Sequence, residues 1–302
     1  MNHAFGLRSV PGALAFGSVG VPDSFLPEIC ALFGQPVAGN PMQFMMERAF
    51  AQQGLDWRYL SFEVTPESLG DAVRGLRALG FRGANVTAPH QFAAVKHLDR
   101  LSEAATQMGS VNCITRDGQE LVGENTDGKG FLLSLRSVID PLGKHIVLLG
   151  AGGAARAIGV ELALAGAQKL TIVNRTAGHG QDLANLLAKN PNVQIEFVPW
   201  EGKYEVPADA QVVIQATSIG ANDPDADVPV SFRHAAPGLV AADVVITPPE
   251  TAFLSEAKRH DCVALDGLGM FVYQAAIAFQ HWTGIAPDTT AMRDAAEEFL
   301  SS

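Results

Sequence analysis

Three short stretches of this chain carry residue types whose spacing suits chemistry. Gly150-Ala151-Gly152-Gly153-Ala154-Ala155 follows the apolar run His145–Leu149 and precedes a helical stretch that closes at Gly166. Glycine at 150 permits a tight strand-to-helix turn, and glycine at 152 lets backbone N–H groups close on an anion at the helix N-terminus. In that strand–turn–helix setting, with Ala155 in the third slot, the pattern is a pyrophosphate cradle of the Rossmann type. The second stretch, Asn174-Arg175-Thr176, ends the next apolar run. An acid there would accept from a free ribose 2′-OH; this chain has a guanidinium instead, which can pair with a 2′-phosphate and stack on adenine. The expected cofactor is therefore NADP, held by Gly150, Ala151, Gly152, Gly153, Ala154, Asn174, Arg175 and Thr176. The plain alternative for Arg175 is a solvated surface charge. The third stretch is Asn125-Thr126-Asp127-Gly128, a carboxylate at the head of a helical stretch. Read by itself it suits a helix cap.

Alternating strand-like and helix-like segments must position these groups, which points to an α/β architecture with parallel sheets. Ile29–Phe33 reads as a strand, and Asn40-Pro41 opens a helix through Gln53. Thr65-Pro66-Glu67 opens a second helix closed by Gly80, Ala84–Thr87 is a strand, Pro89 opens a further helix, and Val111–Thr115 is a strand. After the glycine turn, strands follow at Lys169–Val173, Ile195–Val198, Val212–Gln215 and Leu239–Val244. Two closing helices, about 268–282 and 288–300, are expected to pack back on the first region. Residues 1–28 read as an irregular arm.

The net charge of −11 argues against sequence-independent nucleic-acid binding, which needs a basic face. No apolar run reaches the length of a membrane span, and the Gly- and Pro-interrupted N-terminus does not read as a signal peptide. Three scattered cysteines, Cys30, Cys113 and Cys262, fit a reducing cytoplasm and no metal site. The expected partner is a small polyhydroxylated substrate, with no nucleic acid and no membrane, in a monomer or homodimer.

Eight motifs then stand in one order: Asn85-Val-Thr-Ala-Pro89, Gly109-Ser-Val-Asn112, Glu124-Asn-Thr-Asp-Gly128, Gly150-Ala-Gly-Gly-Ala154, Asn174-Arg-Thr176, Ala216-Thr-Ser-Ile-Gly220, Asp243 through Thr251, and Asp266-Gly-Leu-Gly-Met270. From about residue 29 to the C-terminus this series resembles the shikimate dehydrogenase family of aromatic amino acid biosynthesis. The resemblance implies a two-domain α/β protein. Its Rossmann-type NADP domain would span 127–267, and its α/β substrate-binding domain 1–126, completed by helices within 268–302. It implies an oxidoreductase in which a Lys and an Asp form the catalytic pair, the Asp falling on Asp127. Thr87, Asn112 and Gln274 fall on substrate-binding positions, with Asn40 on the substrate loop, and Thr217 and Gly267 join the cofactor side.

The departures lie on the substrate side. The family's lysine position holds Gln91, which can hold a hydroxyl but cannot shuttle a proton. The family's Ser-x-Ser carboxylate clamp is replaced by a shortened Val37-Ala-Gly-Asn40, its tyrosine by Ile246, and a basic residue near the nucleotide phosphate by His179. Asp127, or a water it holds, would then handle the proton, with Gln91 positioning the hydroxyl. His90, Lys96 and Lys129 are weaker substitutes for the lysine. Asn112 also fits a mere strand end. Two functions stay open: an NADP-dependent oxidoreductase with a remodelled pocket, and a non-catalytic NADP-binding regulatory protein of the same fold.

Overall fold

The computed structural model describes residues 26–221, 223 and 225–301. Residues 1–25, which hold most of the expected arm, lie outside the described residues, and Glu28 already belongs to a strand.

The first half begins with β1 (Glu28–Gly34), α1 (Met42–Gln52), β2 (Trp57–Glu63), α2 (Leu69–Ala78) and β3 (Gly83–Val86). It continues with β4 (Arg100–Leu101), α3 (Glu103–Met108), β5 (Cys113–Asp117), β6 (Glu120–Glu124) and α4 (Asp127–Arg136). Its six-stranded sheet runs β2-β1-β3-β5-β6-β4. This sheet is mixed rather than parallel: β5 runs antiparallel to both β3 and β6. The reason is a two-residue hairpin in which Gly118, at φ +61, takes the first turn position. The helix expected from Pro89 is absent; turns lead instead to one 3₁₀ segment, Ala93–His97. Edge strand β2 is covered by α1, whose Glu47 and Gln43 side chains accept from Tyr59 N (2.5 Å) and Ser61 N (3.0 Å).

The second half contains β7 (His145–Leu149), α5 (Gly153–Leu164), β8 (Lys169–Asn174), α6 (Ala177–Leu187), β9 (Gln194–Pro199), β10 (Tyr204–Glu205), β11 (Val212–Gln215), β12 (Val230–Ser231), β13 (Val240–Asp243), α7 (Ala252–Arg259) and β14 (Val263–Leu265). Its main sheet runs β14-β13-β11-β7-β8-β9, parallel throughout. Strand β7 is fully buried, as a parallel strand covered by helices on both faces must be. The order reverses between β7 and β11, and that switch point is where a doubly wound sheet opens a ligand crevice.

Two last helices, α8 (Gly267–Thr283) and α9 (Thr289–Leu300), leave the second sheet. Their Leu268, Phe271, Phe279 and Met292 share one core with Met42, Met45 and Phe50 of α1. Among the described residues no helix is long and apolar enough to cross a membrane.

Candidate active site

Helix α4 brings the acid to the cleft because its first turns are glycine-thin. A Cβ at Gly128 would stand 2.3 Å from the Ala157 carbonyl of α5, and one at Gly130 would stand 2.6 Å from the Gln274 nitrogen of α8. The two helices therefore close on α4, and Asp127 emerges between the halves with Gln274 behind it.

Asp127 is not a cap. Its Oδ1 accepts from Asn112 Nδ2 at 2.8 Å and its Oδ2 from Gln91 Nε2 at 3.2 Å, while Asn125 Oδ1 accepts from Asp127 N at 3.2 Å. Burial pushes the Asp127 carboxyl above its ordinary pKa, and the donors from Asn112 and Gln91 partly oppose this by favouring the anion. Nor is Asn112 a mere strand end. Its backbone is satisfied by Val86 N and Glu124 O, whereas its side chain joins Asp127 to Thr126 N (2.7 Å) and Gln274 Oε1 (3.5 Å). Gln274 Oε1 also accepts from Thr126 Oγ1 at 3.3 Å, and its amide donates to Phe271 O.

Gln91 bridges the two halves. Its amide nitrogen faces Asp127, and its Oε1 lies 3.6 Å from where a Cβ on Gly153 would stand, at the head of α5. Thr87 follows β3, with its amide donating to Phe33 O and its methyl against Gly34. Asn40 Oδ1 accepts from Met42 N at 2.9 Å, so that oxygen is occupied at the start of α1. His90 is no substitute for a lysine at position 91, since it is buried with Nε2 on the Val64 carbonyl at 2.6 Å. Lys129 is paired with Glu124 at 3.2 Å, and Lys96 is exposed on the 3₁₀ segment.

The sequence reading passed over Asn85 and Tyr59. Tyr59 Oη donates to Asn85 Oδ1 at 2.8 Å, and Asn85 Nδ2 donates to the Asn112 carbonyl. The available signal was a lone amide in the wholly buried strand Gly83–Val86, because a buried amide needs partners.

On the nucleotide side Gly150 leaves β7 at φ +108, where its missing Cβ avoids the Ala216 carbonyl by the switch point. Gly152 stands at the N-cap of α5 with no side chain over the helix N–H groups, so Gly153 and Ala154 present theirs outward with Ala151. Arg175 and Thr176 are exposed at the end of β8, and Asn174 Nδ2 holds the Thr176 carbonyl at 2.8 Å. Thr217, across the crevice, is fixed by Gln215 Oε1. Gly267 starts α8 against the Val244 and Val245 carbonyls.

This pairing of a parallel dinucleotide-type sheet with a carboxylate–amide site defines a two-domain α/β protein. Family models for the shikimate dehydrogenase substrate binding domain, shikimate/quinate 5-dehydrogenase and the shikimate 5′-dehydrogenase C-terminal domain match residues 32–114, 135–222 and 267–297. A shikimate dehydrogenase (NADP(+)) of Desulforamulus reducens is 38% identical over 274 residues, covering 88% of this chain and 94% of its own length. The chain belongs to the shikimate dehydrogenase family. Among solved structures, the ligand-free 5-ketofructose reductase of Gluconobacter sp. strain CHM43 is 43% identical, with a TM-score of 0.88 over 91% of this chain and 99% of that one. The shikimate 5-dehydrogenase of Thermus thermophilus, in complex with NADP(H) and shikimate, is 34% identical with a TM-score of 0.82 over 90% and 100%.

Proposed function

We propose that this chain is an NADP(H)-dependent oxidoreductase that interconverts a small, uncharged, polyhydroxylated ketone and its alcohol, with Asp127 handling the proton. The observation that carries the reading is the partnering of Asp127. A half-buried carboxyl held by two amides, Gln91 and Asn112, stands beside a nucleotide turn with no ammonium in contact with it among the described residues. The fit to a dinucleotide rests on the open α5 N-terminus, the Gly150 turn and exposed Arg175. When bound, the nicotinamide gives or takes the hydride. In the direction of reduction the carboxylic acid form of Asp127, favoured by burial, gives its proton to the developing alkoxide; in oxidation the carboxylate takes it. Gln91 and Asn112 hold the carboxyl in place and offer amides to substrate hydroxyls.

The name of the Gluconobacter neighbour, a 5-ketofructose reductase, supports a ketose as substrate, since such a diketohexose carries hydroxyls and no charge. Against a purely binding role stands the free-energy cost of burying a carboxyl where nothing neutralises it. The test is NADPH oxidation across ketohexoses, 5-ketofructose and 3-dehydroshikimate. Reduction of an uncharged ketose with kcat/KM at least about tenfold above that for 3-dehydroshikimate is expected, a fraction of the effect of one acid–base group. Turnover of 3-dehydroshikimate alone sinks the reading. Gln91→Lys should raise 3-dehydroshikimate reduction by restoring an ammonium beside Asp127.

A further inference from the structure

The stretch 108–112, which delivers Asn112 to the cleft, is tied down residue by residue. It leaves α3 at Met108 and turns at Gly109, φ +63, toward β5. The Ser110 carbonyl accepts from Asn125 Nδ2 at 3.4 Å, Val111 N donates to the Gln91 carbonyl at 2.9 Å, and the Asn112 carbonyl accepts from Val86 N at 2.8 Å. Those partners all lie in the first half of the chain. The Met108 carbonyl is held from the second half instead: it accepts from Arg156 Nη1 of α5 at 3.2 Å.

Helix α3 comes from the first half, yet its Ala104 and Met108 share one core with Ala155 and Ile158 of α5 and Leu148 of β7. Arg156 closes the first turn of α5, its N–H on the Gly152 carbonyl at 2.9 Å, one turn from the glycines of the nucleotide site. A cation in that turn meets the positive end of the α5 dipole. The guanidinium reaches across to the negative end of α3 and serves a carbonyl whose helical donor, Asn112 N, is spent on the Glu124 carbonyl.

We propose that Arg156 is a positioning residue: by fixing the Met108 carbonyl to the head of α5, it sets Asn112, and through Asn112 the Asp127 carboxyl, at a fixed distance from the nucleotide turn. The inference rests on the proposed function, in which the nucleotide sits at that turn and the proton comes from Asp127. Hydride must reach the carbonyl carbon and the proton its oxygen, so the two halves have to be in register. A misplacement of about 1 Å can cost about 10²-fold in rate. Arg156 acts through the backbone of 108–112 and the Asn112 amide, which donates to Asp127 Oδ1 at 2.8 Å.

Arg156→Met keeps most of the alkyl stem and removes the donors; Arg156→Lys keeps one donor at a slightly shorter reach. Hydrogen exchange on the protein without nucleotide or substrate reads the tether by itself. In Arg156→Met the amides of Val111, Asn112 and Thr126 should exchange roughly tenfold faster, the scale of one lost hydrogen bond to a charged group, while those of β8 and β9 stay unchanged. In turnover, kcat for ketone reduction should fall at least about tenfold in Arg156→Met and recover in part in Arg156→Lys, with the Kd for NADPH held within about twofold. The isotope effect from NADPH deuterated at the transferred position should rise, because hydride transfer becomes the slow step; a loss of folded protein alone would leave it unmoved. Whichever of the ketohexoses and 3-dehydroshikimate the wild type reduces serves for the kinetics. Unchanged exchange in Arg156→Met overturns the inference, as does an unchanged isotope effect. Weaker NADPH binding with kcat intact also overturns it and makes Arg156 a phosphate ligand. A wild type that reduces none of these ketones rejects the proposed function, and the exchange result then decides the tether alone.

Discussion

The two walls of the cleft are built from different kinds of group. At the β7–α5 turn the contacts are backbone groups freed by Gly150 and Gly152, together with a helix terminus. Across from it, the Thr87–Gln91 segment, Asn112 and Asp127 work through side chains joined to one another. Backbone recognition tolerates sequence drift as long as glycine and chain direction are kept. Side-chain recognition can be rewritten one residue at a time. The remodelling we propose at position 91, the 37–40 loop and position 246 therefore falls on the side-chain wall and leaves the glycine turn untouched.

The largest effect expected from breaking this contrast is at Asp127. Asp127→Asn should lower kcat by about 10²–10⁴, the range for losing a positioned acid–base group, while the Kd for NADP(H) stays within about twofold. Because burial raises the carboxyl, the acid limb of the wild-type pH profile for alcohol oxidation should lie above the ordinary aspartate value and vanish in the variant. Unchanged turnover in the variant would move the proton transfer elsewhere.

A smaller effect is expected on the nucleotide wall, where one exposed side chain supplements the backbone. Arg175→Ala should weaken NADP(H) by about 1.5–3 kcal/mol, the value of a charged hydrogen bond, and leave NAD(H) nearly unaffected. Equal losses for both nucleotides, measured calorimetrically, would refute a role in reading the 2′-phosphate.

The smallest effect concerns what holds that wall rigid. Asp243, buried at the end of β13, binds Val245 N at 2.9 Å and Thr251 Oγ1 at 2.8 Å, fixing the loop that carries Ile246. Burial pushes its carboxyl up to about 6. Across roughly pH 4 to 6 the folded state keeps a proton that the unfolded state has lost, so this group's stabilisation is present at the low end and fades as pH rises. The loss should be roughly 2 kcal/mol. Urea midpoints across that window should fall less in Asp243→Asn; an identical slope would remove Asp243 as the cause.

Much of the nucleotide half was legible because its signals are local. A five-residue apolar strand, a glycine turn and a helix follow one another within about twenty residues, and His145–Leu149 and Val212–Gln215 are observed at the bounds read from sequence. The ordered motifs likewise carry the family in the sequence alone. The substrate half was less legible because its signals are not local. Nothing in the run after Pro89 shows that it turns rather than coils into a helix, since tertiary packing of buried His90 on the Val64 carbonyl fixes that segment. The antiparallel return of β5 and β6 does have a local signal, Asp117-Gly118, which the sequence analysis left unused, whereas the placing of β5 antiparallel beside β3 depends on pairing across the sheet. The family resemblance singled out a carboxylate at 127 and an amide at 91. Only the tertiary structure brings them into contact, because they lie 36 residues apart on different segments.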